Sequence, residues 1–144
     1  MKVIIDANVA ISAVASRGLC ESVMELCLEQ HQIILCKEIL DDIREKLVKK
    51  IHAPQTIVDD YLKMLLGCSE IHVPENIKSD ICRDPDDRII LGLVKPSDAH
   101  YIITGDKDLL VLGTYLNAKI VSPRQFWDEH INQRHPGKKP NPST

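Results

Sequence analysis

Aromatic residues are scarce in this chain: one Phe, one Trp and three Tyr among 144 residues. Val, Ile and Leu must fill whatever core it builds. No apolar run approaches the ~18 residues needed to cross a bilayer, so no membrane span is expected. The first apolar run stops at Asp6, too soon for a signal peptide. Five cysteines make an odd number, with no Cys-x-x-Cys pair. A disulfide framework is therefore unsupported, and the thiols read as buried or half-buried side chains of a cytoplasmic protein. The six histidines show no His-x-x-x-His spacing and no cluster with cysteine, which argues against zinc. Phosphate-cradling loops are missing too: there is no Gly-x-x-x-x-Gly-Lys-Ser/Thr and no Gly-x-Gly-x-x-Gly. Nor is there a Gly-x-Ser-x-Gly nucleophile elbow. Finally, an excess of positive charge is lacking. Net charge is −3, and the stretch His130 to Thr144 holds Arg134, Lys138 and Lys139 without a single acid. The remainder carries 15 basic side chains against 21 acidic ones. Charge alone gives no support for a nucleic-acid partner, but it suits a protein that gathers acids to hold cations.

What is present is an ordinary globular composition, 44% apolar and 27% charged. The length suits one domain. Short apolar runs alternate with helical periodicity. Val3-Ile4-Ile5, Ile33-Ile34-Leu35, Ile71 to Val73, Tyr101 to Thr104 and Lys119-Ile120-Val121 read as strands. Helices are predicted over Asn8 to Ala15 and from Leu19 through Cys27. Another carries Ile39, Leu40, Ile43 and Leu47. A further one has Pro54 in its first turn, an apolar face of Ile57, Tyr61, Leu62 and Leu65, and a stop at Gly67. Asp84-Pro85-Asp86-Asp87 reads as a helix start, with acids at the positive end of the dipole and Pro96 as its limit. Pro123 opens a closing helix through Phe126 and Trp127. The alternation predicts an α/β domain with a mostly parallel sheet over residues 1–130. Residues 131–144 read as a basic, proline-rich tail, expected to be disordered. No repeat or linker divides the chain.

Ligands of open parallel sheets sit beyond the carboxyl ends of the strands. Asp6 directly follows the first strand, and Asp106 closely follows the Tyr101 strand. Asp87 opens a helix that such a sheet places near the same edge, and Asp42 lies early in the helix after the second strand. Any one of these aspartates alone reads as a helix cap or solvated acid; together they read as a site. Glu129, by contrast, reads as a plain surface acid. Converging carboxylates suit a hard divalent cation, which prefers oxygen donors. One or two such ions can orient and activate a water and steady a phosphodiester's leaving oxygen. Asp6-Ala7-Asn8-Val9 is also similar to the Asp-x-Asp opening of haloacid-dehalogenase phosphatases. There the second acid donates a proton, which Asn8 cannot do.

Four stretches together resemble one family. Val3-Ile4-Ile5-Asp6-Ala7-Asn8-Val9 resembles the opening of PIN domains. Asp84-Pro85-Asp86-Asp87 with Ile89-Ile90-Leu91 resembles their third acidic motif. Ile102-Ile103-Thr104-Gly105-Asp106-Lys107-Asp108-Leu109-Leu110 resembles the last one, and Ile120 to Phe126 the closing strand and helix. The likeness runs from residue 1 to about 130 in family order, nearest to the toxin branch of prokaryotic toxin–antitoxin systems. It implies a three-layer α/β/α fold, Mg²⁺ or Mn²⁺, cleavage of single-stranded RNA, an antitoxin protein as partner and a homodimer. It places Asp6, Asp87 and Asp106 on three metal-binding family acids and Asn8 and Thr104 on polar supports. Asp84 and Asp108 become auxiliaries. The second acid, normally Glu, aligns with Asp42, with Glu38 one helical turn away as its substitute. A small-molecule phosphohydrolase and a non-catalytic module that keeps the fold are the alternatives.

Overall fold

The computed structural model describes residues 1–131. Strand β1 (Lys2–Ile5) leads into α1 (Ala7–Ala15) and α2 (Leu19–Gln30). Strand β2 (Gln32–Leu35) is followed by α3 (Lys37–Lys49) and α4 (Gln55–Cys68). Then come β3 (Ser69–Ile71), α5 (Pro85–Gly92) and α6 (Val94–Ser97). The chain closes through β4 (Tyr101–Ile103), α7 (Lys107–Leu112), β5 (Thr114–Tyr115), β6 (Ala118–Val121) and α8 (Pro123–His130).

The strands form one sheet in the order β3-β2-β1-β4-β6-β5, parallel throughout except for β5. Helices flank it in a three-layer α/β/α arrangement, as the alternating pattern predicted. The strands are short and apolar because both faces are covered. Val3, Ile4, Ile5, Ile34, Ile102 and Ile103 are all fully buried. Each such side chain contributes about 1.5–3 kcal/mol of burial. From β1 the chain first builds outward through β2 and β3, then returns to lay β4 on the other flank of β1. The switch in direction therefore falls between β1 and β4, where a crevice opens at the carboxyl ends of the strands.

Several local expectations shift. Pro54 is the N-cap of α4 rather than a first-turn residue. The buried face of that helix is Val58, Leu62 and Leu65, while Ile57 is exposed. The helix also runs past Gly67 to Cys68. Strand β3 ends at Ile71, leaving Val73 in solvent. The helix expected to reach Pro96 breaks at Leu93 instead. Its last residue, Gly92, lies so close to the preceding loop that a Cβ would collide with the Glu75 carbonyl oxygen. Glu75 N–H donates to the Gly92 carbonyl at 2.8 Å, stitching loop to helix. Pro96 is accommodated in the first turn of α6, where the missing N–H has no intrahelical partner to lose. All five cysteines are free thiols. Among the described residues no helix is long and apolar enough to cross a membrane. The tail expectation for residues 131–144 falls, beyond residue 131, outside the described residues.

Candidate active site

Both central strands end in residues of the same cluster. Ile5 is the last residue of β1, and Asp6 caps α1, its carboxylate accepting from Asn8 N–H at 3.4 Å. Beyond β4, the Thr104 hydroxyl donates to Asp6 Oδ2 at 2.7 Å and accepts from Asp106 N–H at 3.0 Å. Thr104 is fully buried. One side chain thus fixes the two strand-terminal aspartates relative to each other. Asp106 in turn caps α7 through Asp108 N–H at 2.9 Å.

The third contribution comes from α5. Asp84 is its N-cap, bonded to Asp86 N–H at 2.9 Å, and Asp87 follows three residues later. N-cap and third helical position share one side of the first turn, which turns both carboxylates the same way. Carboxylate oxygens of Asp84, Asp87 and Asp106 lie within 4.8 Å of one another. The cap reading and the site reading are therefore compatible. Three helix N-termini, with their partial positive charge, meet where negative charge collects.

Packing acids this closely raises their proton affinity. Burial pushes Asp87 up to about 7, assisted by the charge and proximity of Asp106 and the charges of Asp84 and Asp6. Asp6 is also raised, chiefly by burial; the Thr104 and Asn8 hydrogen bonds oppose this, and Asp106 adds to it. The Cys82 thiol lies 4.0 Å from Asp87 Oδ2. Burial raises that thiol, with Asp87 and Asp84 adding to the effect.

Asp6, Asp84, Asp87 and Asp106 line a cavity of about 410 Å³ that also takes in Asn8, Glu38 and Asp42. Neither candidate for the second acid joins the tight three-carboxylate group. Asp42 pairs with Lys46 Nζ at 3.2 Å, and Glu38 is exposed in the first turn of α3. Asp108 is exposed on α7 and does not line the cavity. Asp84, expected as an auxiliary, has a carboxylate oxygen within 4.8 Å of those of Asp87 and Asp106. One residue escaped the sequence reading. Lys46, four residues after Asp42, carries a cation into the same cavity.

The donors around Asp84, Asp87 and Asp106 are all carboxylate oxygens, the set a hard divalent cation prefers. A doubly charged ion also relieves the repulsion that raises Asp87. The residues therefore fit such an ion, with Asp6 alongside as a further donor. Such an ion, held there, would supply a Lewis acid and a bound water.

No curated protein sequence matches the chain significantly. Among solved structures, a crystal structure of VapBC2 from Rickettsia felis, bound to a DNA fragment from their promoter, contains a chain of similar fold. The TM-score is 0.63 at 12% identity, over 85% of this chain and 98% of that one. At that identity the likeness speaks for the fold. The sequence itself matches the PIN domain over residues 2–108, which takes in Asp6, Asp84, Asp87 and Asp106. With most of its length inside that match, the chain belongs to the PIN domain family.

Proposed function

We propose that this protein is an Mg²⁺- or Mn²⁺-dependent endonuclease of single-stranded RNA, the toxin of a toxin–antitoxin pair. The observation that carries the reading is the convergence of Asp84, Asp87 and Asp106 at the crevice between β1 and β4, with Asp6 tied in by Thr104. A bound divalent cation supplies a Lewis acid for the phosphodiester and its attacking water. Asp87 and Asp106 would hold it, with Asp6 and Asp84 completing the donors. Thr104 keeps Asp6 and Asp106 oriented, and Asn8 supports Asp6 through its backbone N–H. Of the α3 acids, Asp42 is the candidate for the second family acid and Glu38 its stand-in. Asp108, exposed on α7, keeps at most an auxiliary place.

Membership of the PIN family supports nuclease chemistry, and the fold likeness to a VapBC chain supports an antitoxin partner. Such a partner would present Arg or Lys to the carboxylates. A homodimer and a cytoplasmic setting complete the reading, the latter in keeping with five free thiols.

The direct test is cleavage of single-stranded RNA by the metal-stripped protein, with and without Mn²⁺. Cleavage should need the ion, disappear in Asp106→Asn, and leave sugar phosphates untouched. Equal cleavage in EDTA, or hydrolysis of sugar phosphates alone, refutes the proposal. For the partner, the neighbouring gene product should co-purify and relieve growth inhibition.

A further inference from the structure

The cavity is lined by nine carboxylates and, among the described residues, one cation, Lys46. Its bonds are specific. Lys46 Nζ forms an ion pair with Asp42 Oδ2 at 3.2 Å, one turn back on α3, and donates to Asn8 Oδ1 at 3.2 Å on α1. The side chain is only 28% exposed, and the neighbouring Leu47 is buried in the core. An ordinary exposed ion pair at this spacing holds its partners weakly. Here the stem is largely covered and the head is shared between two helices, α3 through Asp42 and α1 through Asn8. Its charge also reaches Asp6, where it partly counters the effect of burial.

We propose that Lys46 is a positioning residue of the metal centre. Its ammonium clamps Asp42 to Asn8 and keeps that carboxylate out of the Asp84–Asp87–Asp106 cluster until a divalent cation displaces it. The inference rests on the metal-dependent reading above. In the metal-free protein Lys46 is the counter-ion of Asp42, while Asp41 and Glu45 pair with Lys37 and Lys49 outside the cluster. A doubly charged ion in the cluster repels the ammonium and attracts Asp42, so the two cations exchange partners. Asp42 would then be a conditional donor to the site, available only once the ammonium lets it go. This explains how an acid that aligns with the family's second position can stand apart from the other three. The metal affinity of the wild type then includes the work of breaking the Lys46 clamp.

Calorimetric Mn²⁺ titration of the full-length, EDTA-stripped protein tests this, with thermal melts of the metal-free state alongside. Lys46→Met keeps the stem and removes the charge. It should bind Mn²⁺ roughly tenfold more tightly and melt at a lower temperature without metal. Lys46→Arg should stay near wild type in both. In the Asp42→Asn background, where no carboxylate is left to release, Lys46→Met should leave Mn²⁺ affinity close to that of Asp42→Asn alone. Should Lys46→Met not fold, Lys46→Gln carries the same comparison. Unchanged or weaker Mn²⁺ binding by the uncharged variant overturns the clamp. So does an equal gain from Lys46→Met over Asp42→Asn alone, since that would be charge removal without any clamp. A wild type that binds no Mn²⁺ overturns the metal reading itself, and the role of Lys46 with it.

Discussion

Removing one charge from the cluster should stabilise the empty protein while disabling it. Asp87 is held at about 7 against an ordinary value of 3.8. At about 1.4 kcal/mol per tenfold in acidity, that difference amounts to about 4 kcal/mol against the folded state near neutral pH. Asp87 faces an open cavity, and water there screens it, so a cost of about 1–2 kcal/mol is the realistic figure. Loss of a favourable acid near the helix N-terminus takes back about 0.5 kcal/mol. Asp87→Asn should therefore raise the melting temperature in EDTA at pH 8 by about 2–5 °C for a domain of this size. The sign of the pH effect follows from the raised value. The cost is fully present above about pH 7 and disappears as pH falls toward 3.8. The advantage of the variant should accordingly shrink between pH 8 and pH 5. Mn²⁺ binds the folded state and should raise the wild-type melting temperature, an increase that Asp87→Asn largely loses together with RNA cleavage. Asp60→Asn, an exposed acid on α4, is the control and should change neither. If Asp87→Asn melts lower in EDTA at pH 8 and gains as much from Mn²⁺ as wild type, Asp87 is only a helix-start acid and the reasoning fails.

Thr104→Val keeps the shape but removes a hydroxyl that serves Asp6 and Asp106 at once. Denaturant unfolding should show a loss of about 2–3 kcal/mol, and kcat should fall more than KM changes. Gly92→Ala should push the Glu75 loop off α5 and cost about 1–3 kcal/mol, read as a lower urea midpoint with an unchanged slope; an unaltered midpoint would mean the loop yields freely. His31 is held down at about 4, first by burial and then by the N-terminal ammonium and His130. Its unfolded value is near 6.5, so stability should drain away as pH falls from about 6.5 to 4. That slope opposes the Asp87 effect, so it is best read in the Asp87→Asn background, where His31→Gln should flatten it.

The sheet was readable because its strands are buried on both faces, leaving short apolar runs that end abruptly. Asp6 and Asp106 could be assigned to one edge for the same reason: parallel strands point all their carboxyl ends one way. Side-chain direction within helices was harder. The choice between Ile57 and Val58 as the inward residue of α4 turns on one residue of phase, and two apolar neighbours leave that open. The end of α5 depends on Gly92 meeting Glu75, a contact across a loop that no local pattern announces. Strand β5, Thr114–Tyr115, is too short to show alternation. Glu129 looked like a plain surface acid, yet it accepts from Lys119 at 2.8 Å and from Tyr101 at 3.2 Å. Within the site, periodicity could pair Asp42 with Lys46 along α3. It could not show that Asn8, 38 residues earlier, shares the same ammonium.

The pairing of β1 with β4 also sets when the acidic cluster can assemble during synthesis. Asp6 waits for Thr104, 98 residues downstream, to be oriented. A nascent chain still inside the ribosome beyond Ile103 has its first acid exposed but lacks both Thr104 and Asp106. Contacts of such separation form late, because a long loop must close first. A truncated product ending before residue 104 would lack Thr104 and Asp106 and could not complete the cluster.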